Sequence, residues 1–199
     1  MKQSRFLCAL LPMLALSCAD SGGPVLVDAE WHLSCPSSGG AGCASWAQET
    51  CIGDGGHRAI VGEHGEPACG DRIIAICESI DRANGMRDIT LEANVERGGG
   101  SSPQFAFELT VTVDGSDDSV ELCNVTIIEG GVSYDFGACG QEPPSIAQPC
   151  QLSNVSTVGE VVFDLECDSL LNRTTLLAVD VGALGVGPTT IRFANCTGF

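Results

Sequence analysis

Three stretches of this chain alternate apolar and polar side chains with a period of two, and no other feature limits the fold as tightly. Ile89, Leu91, Ala93 and Val95 alternate with Thr90, Glu92, Asn94 and Glu96. Phe105, Phe107, Leu109, Val111 and Val113 alternate with Ala106, Glu108, Thr110 and Thr112, and Val161, Phe163, Leu165 and Cys167 alternate with Val162, Asp164 and Glu166. Successive side chains of a strand point to opposite faces, so each stretch predicts a strand with one face in a core and one in water. Turn-rich intervals set off further strand candidates at 72–80, 119–127, 132–137, 150–156, 174–181 and 189–195. No amphipathic helix separates them. The expected fold class is all-β, an antiparallel β-sandwich of about 8–9 strands. Residues 97–103, RGGGSSP, read as a loop joining two of those strands.

The N-terminus has a different character. Residues 1–17, MKQSRFLCALLPMLALS, place Lys2 and Arg5 before an apolar run from Phe6 to Leu16 that Pro12 interrupts. A positive segment followed by a short apolar core is the layout of an export signal. A transmembrane helix needs about 20 apolar residues, more than this run supplies. Leu14-Ala15-Leu16-Ser17-Cys18 resembles the lipobox of bacterial lipoprotein precursors, over residues 1–20 only. That resemblance implies a signal peptide at 1–17, diacylglycerol on the Cys18 thiol, and an acylated (palmitate) amine after cleavage. It also implies a membrane partner reached through the lipid anchor. Ala19 stands where an aspartate retains many such lipoproteins in the inner membrane, so the implied address is the outer membrane of a cell envelope. A secreted soluble product is the alternative. Residues 18–30 then form the lipidated cysteine and a tether.

Residues 31–199 read as a single disulfide-stapled domain. Within it, 31–71 is rich in cysteine and glycine and short of periodicity, predicting stapled loops, and 72–199 is the sandwich. Ser45 and Gln48 have capping-box spacing, which predicts one short helix near Trp46. Ten cysteines fall beyond residue 30, an even number with no CxxC pair, and in an exported chain this predicts disulfides rather than zinc. Hairpin register pairs two sets. Cys150 and Cys167 are equidistant from a turn at Val158-Gly159, and Cys123 and Cys139 are equidistant from Gly131. The pairing of Cys35, Cys43, Cys51, Cys69, Cys77 and Cys196 stays open.

The full chain carries a formal charge of −17, with 26 acidic residues against nine Lys and Arg. Lys2 and Arg5 leave with the signal. Such a surface repels nucleic acid and anionic headgroups, so nucleic acid is not an expected partner. It suits solubility, divalent cations or a cationic partner. Asn124-Val-Thr, Asn154-Val-Ser, Asn172-Arg-Thr and Asn195-Cys-Thr match the N-glycosylation acceptor pattern.

Signatures of catalysis are missing: there is no GxSxG, HExxH or P-loop. His64, Glu66 and Cys69 lie near each other in order, but a zinc deaminase needs a second cysteine where Arg72 stands. Two clusters carry weaker candidates. Asp54–Asp71, DGGHRAIVGEHGEPACGD, holds His57 and His64, which could ligate a metal or serve acid–base chemistry. Nothing in their seven-residue spacing forces the rings to converge. Asp114, Ser116 and Asp118 alternate like the start of a calcium loop, yet Ser119 replaces the expected glycine and Val125 the expected glutamate. The expectation is therefore no catalytic residue, no metal and no cofactor. The chain reads as a lipid-anchored binding or structural module rather than an enzyme. The alternatives are an exported hydrolase using the His57/His64 loop and a calcium-dependent adhesive domain.

Overall fold

A computed structural model describes residues 23–36, 42–96, 103–184 and 187–199. Cys18 and the signal-like segment lie outside the described residues, as does most of the 97–103 connection. Fourteen strands form and, among the described residues, there is no helix. Nine of them fall in the intervals read as strands from alternation or from turn spacing: β6 (Asp71–Asp81), β7 (Met86–Glu96), β8 (Phe105–Asp114), β9 (Val120–Glu129), β10 (Val132–Gly140), β11 (Cys150–Ser156), β12 (Glu160–Leu171), β13 (Ala178–Gly182) and β14 (Thr189–Ala194). The other five lie in the region read as tether and loops: β1 (Leu26–Ser34), β2 (Glu49–Thr50), β3 (Gly53–Asp54), β4 (His57–Glu63) and β5 (Pro67–Ala68).

Those five correct the sequence reading. β1 starts inside the predicted tether because Val27, Ala29, Trp31 and Leu33 all face the core while Asp28 and Glu30 face water. β4 takes up half of the predicted histidine loop by pairing with β1 from Leu26↔Glu63 to His32↔His57. The predicted helix near Trp46 is absent. Residues 44–47 run without regular structure, and both backbone groups of Ala47 are bound by side chains.

Twelve of the strands line up as β4–β1–β13/β14–β12–β10/β11–β9–β8–β7–β6–β5, and β2 and β3 form a separate two-stranded sheet. Two positions in this order are each filled by a strand in two pieces. β13 and β14 run end to end between β1 and β12: Ser34↔Asp180 and Cys167↔Val181 define the upper piece, Ala29↔Ile191 and Leu165↔Thr189 the lower. β10 and β11 also share the space between β9 and β12, but their ends overlap side by side in the short parallel contact Cys139↔Cys150 and Gly140↔Gln151. All other strand pairings are antiparallel, and two isolated bridges, Cys43↔Ala178 and Glu78↔Thr197, are parallel.

The sheet folds over on its own apolar face. Phe107 of β8 lies 6.5 Å from Trp31 of β1 and 6.0 Å from Phe163 of β12, strands far from β8 in the sheet order. Only face-to-face packing brings them together, which makes the sandwich. Across the core, Arg58 of β4 binds Glu129 of β9.

The outer edge of β6 is capped rather than left open. Ile73 exchanges backbone hydrogen bonds with Gly65 and Glu66, and Thr197 does so with Cys77 and Ser79. Between them the His64 ring takes the place of a strand neighbour, its Nδ1 lying 3.2 Å from the Ala75 N and 3.1 Å from the Ala75 carbonyl oxygen. The tail fits there because Gly198, at φ 86°, has no Cβ; one would sit 2.0 Å from the Ser79 oxygen. An exposed edge is a template for intermolecular pairing, and this capping removes it.

Candidate functional site

Ten cysteines form five disulfides: Cys35–Cys43, Cys51–Cys69, Cys77–Cys196, Cys123–Cys139 and Cys150–Cys167. The last two join direct cross-strand neighbours. A chain this rich in disulfides belongs to an oxidising, extracellular or envelope compartment.

The histidines of the sequence reading do not come together. His57 opens β4, and its Nε2 lies 3.5 Å from Glu30 Oε2 on a half-exposed surface. His64 follows the other end of β4 and is spent on the β6 edge. Among the described residues no group of three or more His, Cys, Asp or Glu is placed to hold a metal. The acidic turn behaves as a turn. Asp114 Oδ1 accepts hydrogen bonds from the Ser116 N–H (2.8 Å) and hydroxyl (2.6 Å), which lower its pKa. Asp118, at φ 58°, accepts from the Thr157 N–H and hydroxyl at 3.0 and 2.5 Å. These carboxylates are engaged with protein donors on the loop's own side and across to the end of β11. Of the four glycosylation patterns, Asn172 is buried, its amide held by the Ser133 carbonyl and by the Thr174 and Thr175 N–H groups.

The site that does form was not marked by any motif. Both strand interruptions fall beside the middle of β12, one on each side: residues 141–149 between β10 and β11, and the described residues 183–184 and 187–188 between β13 and β14. Where they leave the sheet a cleft of about 490 Å³ opens over β12, with Pro144 from one excursion and Ala183 and Gly187 from the other. Alternation along the strands turns Glu166 and Asp168 of β12, Asp180 of β13, and His32 and Ser34 of β1 toward it. Among the described residues, no Arg or Lys lines the cleft. Burial, with His57 and Arg58 nearby, holds the His32 imidazole below the ordinary histidine range, so it is neutral at physiological pH. Its Nδ1 is buried without a hydrogen-bond partner among the described residues. Asp180 also braces the wall by accepting the Ser169 N–H at 2.8 Å. The two interrupting segments also carry exposed aliphatic side chains: Ile146 is 99% exposed and Leu184 78%.

His32 was legible only in part, as a polar residue between Trp31 and Leu33. The convergence of Glu166, Asp168 and Asp180 depends on where two strands break, which local pattern does not state. The class defined by fold and site is thus an exported, disulfide-stapled β-sandwich with an acidic cleft at paired strand interruptions. No family model, curated protein or solved structure matches the chain.

Proposed function

We propose that this protein is a lipid-anchored binding module of the cell envelope, held through Cys18 at the outer membrane, and that its ligand occupies the β12 cleft. The cleft carries the binding part of the reading. Its volume lies within the range of small-ligand sites, and such sites form where regular strands are interrupted. The charged groups in its lining, Glu166, Asp168 and Asp180, are all acidic, and a field of that sign favours a cationic ligand over an anionic one. The anchoring part rests on the apolar run ending at Ser17-Cys18 and on the short interval from Cys18 to the start of β1.

Titration with spermidine at physiological salt tests the site. Saturable one-to-one binding that is lost in Glu166→Gln/Asp168→Asn supports it. Binding that never saturates, or that survives the double substitution, removes the cleft from the proposal. Intact mass and membrane fractionation test the anchor separately. Cys18→Ala should abolish the acylated membrane-bound form, and a wild-type chain starting elsewhere without lipid would end that part of the reading.

A further inference from the structure

Four cysteines stand in one row across the sheet. The register runs Cys123↔Cys139 between β9 and β10, Cys139↔Cys150 between β10 and β11, and Cys150↔Cys167 between β11 and β12. Residues opposite one another on neighbouring strands share a face, so all four side chains lie on the core side. Cys139, Cys150 and Cys167 are buried, and Cys123, at the end of the row, is half-buried. Two disulfides occupy the outer pairs of this row, Cys123–Cys139 and Cys150–Cys167. The middle pair is the neighbour contact of a parallel ladder, with strands about 4.8 Å apart. It is therefore as close as the pairs that are bonded, whose Cα atoms lie 5.0 and 4.0 Å apart.

This arrangement has a chemical consequence. Thiol–disulfide exchange proceeds by attack of a thiolate on one sulfur of a disulfide, with the other sulfur leaving. The attacking sulfur approaches along the line of the bond it breaks. In a single row, Cys139 lies on the side of Cys150 opposite Cys167, which is the required approach. We propose that Cys123, Cys139, Cys150 and Cys167 form one exchange unit that a small thiol enters at Cys123 and that ends with a free thiol at Cys167.

The steps balance without an oxidant. A thiolate R–S⁻ attacks Cys123 Sγ, the Cys123–Cys139 bond breaks, and Cys139 leaves as thiolate with a mixed disulfide R–S–Cys123 behind it. Cys139 then attacks Cys150 Sγ, forming Cys139–Cys150 and breaking Cys150–Cys167. The electron pair leaves on Cys167, which takes a proton from water. One thiol has been consumed and the number of disulfides in the row, counting the mixed one, is unchanged. Cys167 sits between Glu166 and Asp168, whose side chains line the cleft, with its own sulfur on the core side. The exchange therefore unties β11 from β12 directly under the cleft floor and ties β10 to β11 instead. The other three disulfides share no register with this row and stay as they are. None of this depends on which ligand the cleft takes.

The full exported chain carrying Cys123→Ser tests the central step, because it leaves Cys139 unpaired from the start. Non-reducing peptide mapping should show loss of the Cys150–Cys167 pair in part of the population, matched by gain of Cys139–Cys150 and a free Cys167. Retention of Cys150–Cys167 in every molecule, with Cys139 alone free, overturns the proposal. Should that variant fail to accumulate, native wild-type protein exposed to reduced glutathione, quenched with acid and alkylated, decides instead. The expected product carries glutathione on Cys123, a Cys139–Cys150 bond and alkylated Cys167, with Cys35–Cys43, Cys51–Cys69 and Cys77–Cys196 intact. No reaction, scrambling of all five bonds, or glutathione on Cys123 beside an untouched Cys150–Cys167 each overturns it.

Discussion

Arg58 and Glu129 are 71 residues apart in sequence and both side chains are almost wholly removed from water. The guanidinium meets the carboxylate with two bonds, Nε to Oε2 at 2.9 Å and Nη2 to Oε1 at 2.6 Å, and donates further to the His57 and Ala47 carbonyls at 2.6 Å each. Glu129 also accepts the Ala47 N–H at 3.2 Å. The pair thereby ties the irregular segment before β2 to both layers of the sandwich. Removing one partner strands the other as an uncompensated buried charge, which costs about 3–5 kcal/mol. Glu129→Gln and Arg58→Met should each lower stability by that order in urea unfolding. Arg58→Met/Glu129→Leu should recover much of the loss; a double variant no better than the singles would show that the bonds to Ala47 and His57 matter more than the charge pair. Glu108 makes a second argument at this scale. Burial, then the Glu92 carboxylate directly opposite it, raises its pKa above the usual carboxylate value. The folded state thus holds that proton more tightly than the unfolded chain, so the stability gained from protonation is complete below the unfolded value and is lost as pH rises through the raised one. At neutral pH the facing carboxylates are unfavourable by about 0.2–1 kcal/mol. Glu108→Gln should raise the melting temperature at pH 7 and make little difference near about pH 4. Equal effects at both pH values would place the cause in packing.

Among the elements, β6 concentrates the devices that close the fold. Its edge is held by the β5 turn, by His64 on Ala75 and by the C-terminal tail, which Cys196 anchors to Cys77. His64 Nδ1 accepts from the Ala75 N–H when it lacks a proton and faces the carbonyl as a donor when it carries one, so the position stays engaged in either form. The Cys77–Cys196 bond closes 119 residues, and loss of a native disulfide in a small exported domain costs about 2–5 kcal/mol. Cys77→Ser/Cys196→Ser should lose stability of that order and speed amide exchange at Ser79 and Thr197, while His64→Ala should cost about 1 kcal/mol and act at Ala75. Unchanged protection of Ser79 in the double-serine variant would mean that the tail is held by Gly198 and the backbone alone. The same region shows why sequence reading stopped short. β4 has a two-residue apolar rhythm only if Arg58 counts as a core residue, and a buried arginine is recognisable only once Glu129 is known to face it.

For the whole molecule, alternation in three stretches together with turn signals between the others marked nine strands and the all-β class, because period-two burial and turns are local properties of the chain. Counting along hairpins set Cys150 opposite Cys167 and Cys123 opposite Cys139, and these residues do face each other, but each hairpin reaches that register through a β-bulge, between Ser153 and Ser156 and between Tyr134 and Gly137, that counting did not show. What lay beyond the reach of the sequence is everything that depends on strands distant in the chain. β1, near the start of the described chain, slots between β4 and the two-piece strand at its far end, so its core face became evident only with Ile191 and Phe193 beside it. The cleft over β12 exists because two separate strands break at the same height on either side of it. The four cysteines form one row because the end of β10 and the start of β11 overlap side by side there, between β9 and β12. The sequence by itself therefore determined nine of the fourteen strands, their local hairpins and the strongly acidic composition. Only the tertiary structure decided which carboxylates share a cleft and which disulfides are neighbours, because both rest on the pairing order of strands, and that order is selected by packing across the core between residues such as Trp31, Phe107 and Phe163.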